Sequence, residues 1–386
     1  MSEQREFDGS GYFLYHSIGM FPDKAVHIAD ALTRVAQLWG TPHDAQWAQS
    51  LALRSQFIDQ WRNVIGAPAG TMTTAENVTA ALYSIIGALP DRHLKGRRLL
   101  IAADCFPSLH FLLSGMAERR GFVVHTVPMR PGESWVRDTD FMAAWGADVG
   151  VALLTWVTST ASHRCDLRAL VEHGRKSGSL VGVDITQGVG IAPFDVNTVN
   201  ADFVVASTLK WLCGVAGAGV MYVRKSLLPE CRPELRGWFA QENPFSWALD
   251  SFAYADDARR FDHGTPSILP FAACLPALEW HSRQDRAQLQ AHNRRLAEAV
   301  IEGCLGLGLD LVSPRNADER GGSVMFRLPA GADPGAIVAG LRAQRVFTDS
   351  RGMTLRVSAG NLTNDAGLER LLRGLREKRG GPASTH

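Results

Sequence analysis

Between residues 98 and 223 the chain repeats one pattern: a short apolar run, a turn, then a stretch with helical spacing. Arg98–Ala103 (RLLIAA), Gly121–Val127 (GFVVHTV), Val149–Trp156 (VGVALLTW), Leu180–Asp184 (LVGVD), Phe203–Ser207 (FVVAS) and Gly219–Val223 (GVMYV) read as strands. Ser108–Arg120 and Leu167–Ser177 place polar and apolar residues at helical spacing between them. Such alternation leaves one main solution, an α/β domain on a largely parallel sheet. Ligands of these sheets sit outside the carboxyl ends of the strands, so the residues that follow each strand are where chemistry is expected.

The pattern stops near Leu275. A long charged helix is expected over Ala277–Glu302, then a strand in SVMFRLP, a helix near Pro334–Gln344, a strand in TLRVSA and a closing helix. This predicts a smaller α+β domain, with the mostly helical first 60 residues packed against it. The chain is accordingly divided into an N-terminal segment (1–50) packing with the small domain, a large α/β domain (51–275) and a small C-terminal domain (276–386). Lys378–Ser384 is expected to fray. Lys plus Arg number 40 and Asp plus Glu 39, a net charge of +1 that argues against a nucleic-acid binder with a basic stripe. The six cysteines are too widely spaced for C-x-x-C or zinc-ribbon chemistry, so buried reduced thiols and no metal are expected. The start, MSEQREFDGSGYF, lacks the apolar core of a signal peptide, and no run of 18 apolar residues occurs. A cytoplasmic protein without a membrane partner is the expectation.

Asp184 closes one strand and Lys210 follows the next by three residues. Spacing alone also fits an acid capping a turn and a solvated lysine. Lys210, however, sits among Leu209, Trp211 and Leu212, surroundings that lower an amine's pKa, and a glycine-rich turn follows it. Pyridoxal phosphate needs such a pair: a lysine for its Schiff base and a carboxylate to keep its ring nitrogen protonated. Its phosphate needs hydroxyls and amides at a helix start, which Thr71–Asn77 before the apolar helix Val78–Leu89 supplies. Those residues equally fit an ordinary N-cap. Neither G-x-G-x-x-G opening a helix nor G-x-x-x-x-G-K-[ST] occurs.

The stretch VDITQGVGIAPFDV…ADFVVASTLKWLCGVAGAGVMYVRK resembles the lysine segment of fold-type I pyridoxal-phosphate enzymes of the class V aminotransferase group. YFLYHSIGMFPDKA, TTAEN, DCFPSLHF, RGWF, HGTPSIL and LRVSAGNLTN are similar to successive motifs of the kynureninases, across residues 12–364. The resemblance implies a large domain with a mostly parallel seven-stranded sheet and a small α+β domain. It makes Lys210 the Schiff-base lysine and Asp184 the partner of the pyridine nitrogen. Phe106 would stack on the ring, with Thr74, Ala75, Thr155 and Ser207 on the cofactor. Trp238 and Thr265 would line the pocket from the neighbouring subunit of a homodimer. Arg356 would grip the substrate α-carboxylate, with Ser17 and His16 beside the substrate. Gln187 stands where kynureninases carry His, and D-x-x-Q is the cysteine-desulfurase pattern, in which Gln contacts the cofactor's 3-oxygen.

Other departures bear on the reaction. Leu209 replaces the Tyr before the lysine, Leu109 the Asp after Phe-Pro-Ser, His16 an Asn, and Thr363 a Tyr, while KWLC is similar to isopenicillin N epimerase-like proteins. The first expectation is hydrolytic Cβ–Cγ cleavage of L-kynurenine or a related γ-keto amino acid to an acid and L-alanine. The second is β-elimination or C–S cleavage, or a desulfurase-like or epimerase-like reaction. Val346–Thr354, before the arginine strand, holds none of the thiols a desulfurase needs. The third is a non-catalytic binding or regulatory protein on the same fold.

Overall fold

The computed structural model describes residues 8–379; the tail expected to fray falls at and outside that limit. Seven strands form one sheet: β1 (Met72–Ala75), β2 (Arg98–Ala102), β3 (Val123–Val127), β4 (Val149–Thr155), β5 (Leu180–Asp184), β6 (Phe203–Ser207) and β7 (Gly219–Val223). Their order is β1-β7-β6-β5-β4-β2-β3. Strands β3, β2, β4, β5 and β6 are mutually parallel, and β7 runs antiparallel to both β6 and β1. The loop from β6 to β7 contains no crossover helix, so β7 returns alongside in the opposite sense. Six of these strands lie where apolar runs predict them. The seventh, β1, is a short threonine-rich edge segment inside the stretch read as a phosphate cradle.

The parallel strands are apolar throughout because both faces are covered. One core joins Leu100, Ala152, Val183 and Val204 to Phe57 and Trp61 of α2 (Gln46–Ile65) and Leu278 of α8 (Leu269–Ser282). Their chain neighbours Leu99, Ile101, Leu153 and Val205 face the other way, onto Leu82 and Ile85 of α3 (Val78–Ala88) and Leu109 and Leu113 of α4 (Pro107–Arg120). Alternate side chains of a strand point to opposite faces, so one apolar run feeds two cores.

The small sheet holds β8 (Asp310–Leu311), β9 (Val324–Arg327), β10 (Asp349–Arg351) and β11 (Thr354–Val357), antiparallel throughout in the order β10-β11-β9-β8. Phe326, Leu355 and Val357 pack there with Leu296 and Val300 of α9 (Arg286–Gly306) and Leu371 of α11 (Asp365–Arg379). The single helix expected over 277–302 is two, α8 and α9. Asp285 ends the run: its carboxylate accepts from the N–H groups of Ala287 and Gln288 and caps α9. At the N-terminal side, Tyr12 and Leu14 bridge Phe347 and Ser358 beside the small sheet, whereas α1 (Lys24–Gly40) and α2 pack on α8. Among the described residues no helix is long and apolar enough to cross a membrane.

Candidate active site

Parallel strands end on the same side, and here their ends open on one cavity of about 1460 Å³. Thr155, Asp184 and Ser207 are the last residues of β4, β5 and β6, and Lys210 follows β6 by three. Phe106 comes in from the start of α4, Thr74 and Ala75 from β1, and Gln187 from the turn after β5. All of these line the cavity, as do His16, Ser17, Thr265 and Arg356. Thr265 lines the cavity of its own chain. Trp238 is not among the lining residues; it packs edge-on against Trp47, Phe239 and Phe245.

Lys210 Nζ donates to the Ser17 carbonyl at 2.9 Å. Burial foremost, and then the nearby Arg356 charge, push its pKa below the ordinary lysine value, favouring the neutral amine. Asp184 is buried and accepts the Thr186 N–H at 2.9 Å; burial pushes its pKa up, opposed by Thr186 and, more weakly, by Lys210. Gln187 Nε2 donates to the His16 carbonyl at 2.9 Å. The His16 ring spans Ser358 Oγ at 2.5 Å and Asp349 Oδ1 at 2.9 Å, and burial holds its pKa down.

At one end of the cavity, Asn77 caps α3 by accepting the Ala80 N–H at 2.9 Å, so the helix start, with Val78, Thr79 and Ala80, faces the cavity. Free amides and the helix dipole suit that place to an anion. Behind it lies Arg54, which sequence reasoning missed. Its Nη1 and Nη2 reach Asp262 at 3.1 and 2.7 Å, Nη2 reaches Thr73 Oγ1 at 2.8 Å, and Nε reaches Thr74 Oγ1 at 3.0 Å. The signal was present: Arg54 falls in the buried stripe Ser50, Arg54, Phe57, Trp61, Ile65 of α2, where a charge needs a partner.

The opposite end comes from the β10–β11 hairpin. Register sets Asp349 across from Arg356, and the carboxylate takes Nε at 2.8 Å and Nη2 as well. Burial works against the Asp349 carboxylate, but His16 and Arg356 outweigh it and hold its pKa at about 2. Asp349 too was missed, although its pairing with Arg356 is local. None of the six cysteines lines the cavity; all are free, and burial pushes Cys105, Cys213, Cys231 and Cys304 to about 12.

A flat aromatic group with a phosphate at one edge fits what these residues leave unused. Thr155 Oγ1 is buried without a hydrogen-bond partner. The Phe106 ring is 44% exposed on the cavity wall, and at the start of α3 the Val78 and Thr79 N–H groups, unlike that of Ala80, have no acceptor among the described residues. Fold and site together define a fold-type I pyridoxal-phosphate enzyme. The chain belongs to the class V aminotransferases, whose family model matches residues 47–358, and its cofactor is pyridoxal 5′-phosphate.

A kynureninase from Deinococcus radiodurans is 28% identical over 345 residues, covering 85% of this chain and 80% of that protein. An isopenicillin N epimerase from Streptomyces clavuligerus is 26% identical, with 87% of each chain covered. Among solved structures, a cystine C–S lyase in complex with cysteine persulfide superposes with a TM-score of 0.84 at 20% identity, covering 95% of this chain and 97% of that one. A cysteine desulfurase from Thermococcus onnurineus gives 0.83 at 18% identity, covering 97% and 96%. These structural likenesses carry the fold and leave the reaction open.

Proposed function

We propose that this enzyme is of kynureninase type and cleaves the Cβ–Cγ bond of an α-amino acid bearing a γ-carbonyl. The balance is R–CO–CH2–CH(NH3+)–COO− plus water giving R–COO−, a proton and L-alanine. The observation that carries this reading is the apolar part of the cavity's lining. Besides the residues that would meet the cofactor, the cavity is lined by the apolar or aromatic side chains of Tyr83, Leu109, Leu112, Leu235 and Phe261. Such a lining suits a substrate with an organic side group past the γ-carbon. The likeness to kynureninase over most of both chains supports the same reading.

When bound, the cofactor supplies an electron sink for charge developing at the α-carbon. Lys210 would hold it covalently, Asp184 would keep its ring nitrogen protonated, and Gln187 would meet its 3-oxygen. Phe106 would lie on its face, with Thr74, Ala75, Thr155, Ser207 and Thr265 toward its phosphate end. Lys210, poised toward the neutral amine, moves the proton at the substrate α-carbon. Arg356 orients the α-carboxylate, and Ser17 and His16 border the amino acid. In this reading residues 51–275 carry the cofactor, residues 276–386 with the segment 1–50 carry the carboxylate grip, and the enzyme is a cytoplasmic homodimer to which Trp238 contributes at the subunit boundary.

A second reading, β-elimination with C–S cleavage, is favoured by Leu209, which leaves no phenol beside Lys210 to shuttle protons. Product analysis separates the two: alanine without pyruvate for the first, pyruvate with sulfide for the second. Lys210→Ala should lower turnover by about a thousandfold or more and remove the visible absorbance of the bound cofactor. Full activity in that variant, or release of pyruvate and no alanine by the wild type from γ-keto amino acids, would reject the proposal.

A further inference from the structure

Two arginines of one hairpin line the cavity, and only one of them forms an ion pair with a carboxylate. Side chains alternate along a strand, so Asp349 and Arg351 of β10 share a face. Residues directly opposed on antiparallel strands also share a face, which adds Arg356 of β11. Asp349 is committed twice over, to the Nε and Nη2 of Arg356 and to His16 Nε2 at 2.9 Å. Arg351 lies two positions along and is left with the Ser159 hydroxyl, 3.4 Å from its Nη1, and the Phe106 ring, whose centre is 6.0 Å from its guanidinium carbon.

The other basic groups described above have partners of their own. Arg54 is closed by Asp262, and Lys210 donates to the Ser17 carbonyl. Arg351 is therefore the lining arginine without a carboxylate partner among the described residues, and it is exposed to incoming ligand. The same cavity also has apolar walls, among them Leu109 and Leu112. A guanidinium set in a cleft with low-dielectric walls focuses its field on whatever enters and favours an oxyanion. Its planar donors also suit a carboxylate held by two hydrogen bonds.

Resting on the reaction proposed above, we infer that the substrate's side group, beyond its γ-carbonyl, carries a second anion, a carboxylate or similar oxyanion, and that Arg351 binds it. Arg356 takes the α-carboxylate and Arg351 the distal one, so the preferred substrate is an acidic amino acid and its cleavage releases a dianionic acid with alanine. Arg351 is then a specificity-determining residue.

The test is a titration of the holoenzyme followed by the absorbance of its cofactor, with L-glutamate and its one-carbon-longer homologue set against L-glutamine and L-alanine. At least one acidic probe should bind about tenfold or more tightly than L-glutamine. Arg351→Gln should erase that preference while L-alanine affinity stays within about twofold, and Arg351→Lys should keep part of it. Equal affinities in the wild type, or no spectral response to either acidic probe, overturn the inference. So does an Arg351→Gln variant that loses L-alanine as strongly as the acids, because Arg351 would then serve the α-carboxylate. Binding is read without turnover, so the two proposals fail separately. Absence of alanine release rejects the reaction and leaves the acid preference standing, whereas equal affinities reject the preference whatever the reaction.

Discussion

The two ends of the cavity are built on the same pair of residue types and use them differently. Arg54 and Asp262 are both buried, with side chains 10% and 5% exposed. Every nitrogen of that guanidinium is occupied, by two carboxylate oxygens and two threonine hydroxyls. Arg356 is as buried, at 10%, but Asp349 is 32% exposed, and the pair uses only Nε and Nη2. Arg356 Nη1 makes no hydrogen bond to the described residues and remains free to meet a ligand. A filled fork is a structural latch that fixes β1 and the start of α3. A half-filled fork is held at one edge and can recognise a carboxylate with the other.

That contrast predicts opposite outcomes from two arginine deletions. Arg54→Leu leaves Asp262 buried without its counter-charge, a kind of break that costs about 3–5 kcal/mol. Urea unfolding should register that loss, and a change below about 1 kcal/mol would show that the latch carries no stability. Arg356→Ala should cost about 1 kcal/mol of stability, since Asp349 keeps His16 and is partly solvated. Its effect falls on binding: loss of a charge-assisted contact of about 1.5–3 kcal/mol weakens amino-acid affinity by about tenfold to a hundredfold. Cofactor absorbance titrated with L-alanine measures this directly. If Arg356→Ala proves the less stable of the two variants, the assignment of latch and grip is reversed.

What could be read from the chain follows the range of the forces involved. Apolar runs that feed two cores declare themselves locally, so β2 to β7 were legible, as were Asp184, Ser207 and Lys210 at or just past their ends. The strand β1 was not, because four residues with two threonines carry no burial signal and become a strand only by pairing with β7. The latch was hidden for the same reason, since Arg54 and Asp262 meet only once α2 and the segment before α8 have packed. Asp349 is a different case. It lies in a short hairpin whose register sets it across from Arg356, and a charge-pair reading of DSRGMTLR would have found it. The break between α8 and α9 was also local, carried by Asp285 as an N-cap, and was obscured by helical spacing that continues on both sides. Arg351 drew no attention because its importance lies in the carboxylate it lacks.

Acid offers the finest test of the grip. The folded Asp349 has a pKa of about 2, below the ordinary value of 3.8, so the unfolded chain binds the extra proton between those limits. Stability from this carboxylate is therefore complete above about pH 4 and is lost as pH falls through about 2. Partial exposure and solvent screening reduce it to about 1 kcal/mol. Removing Arg356 takes away one of the two groups that hold the value down, so Asp349 in Arg356→Ala should protonate at higher pH. The stability gap between wild type and Arg356→Ala should then be open at about pH 6 and narrow toward about pH 3, as read from urea midpoints at each pH. A gap that stays constant over that range would mean that the guanidinium acts by packing alone, and that Asp349 does not hold it through charge.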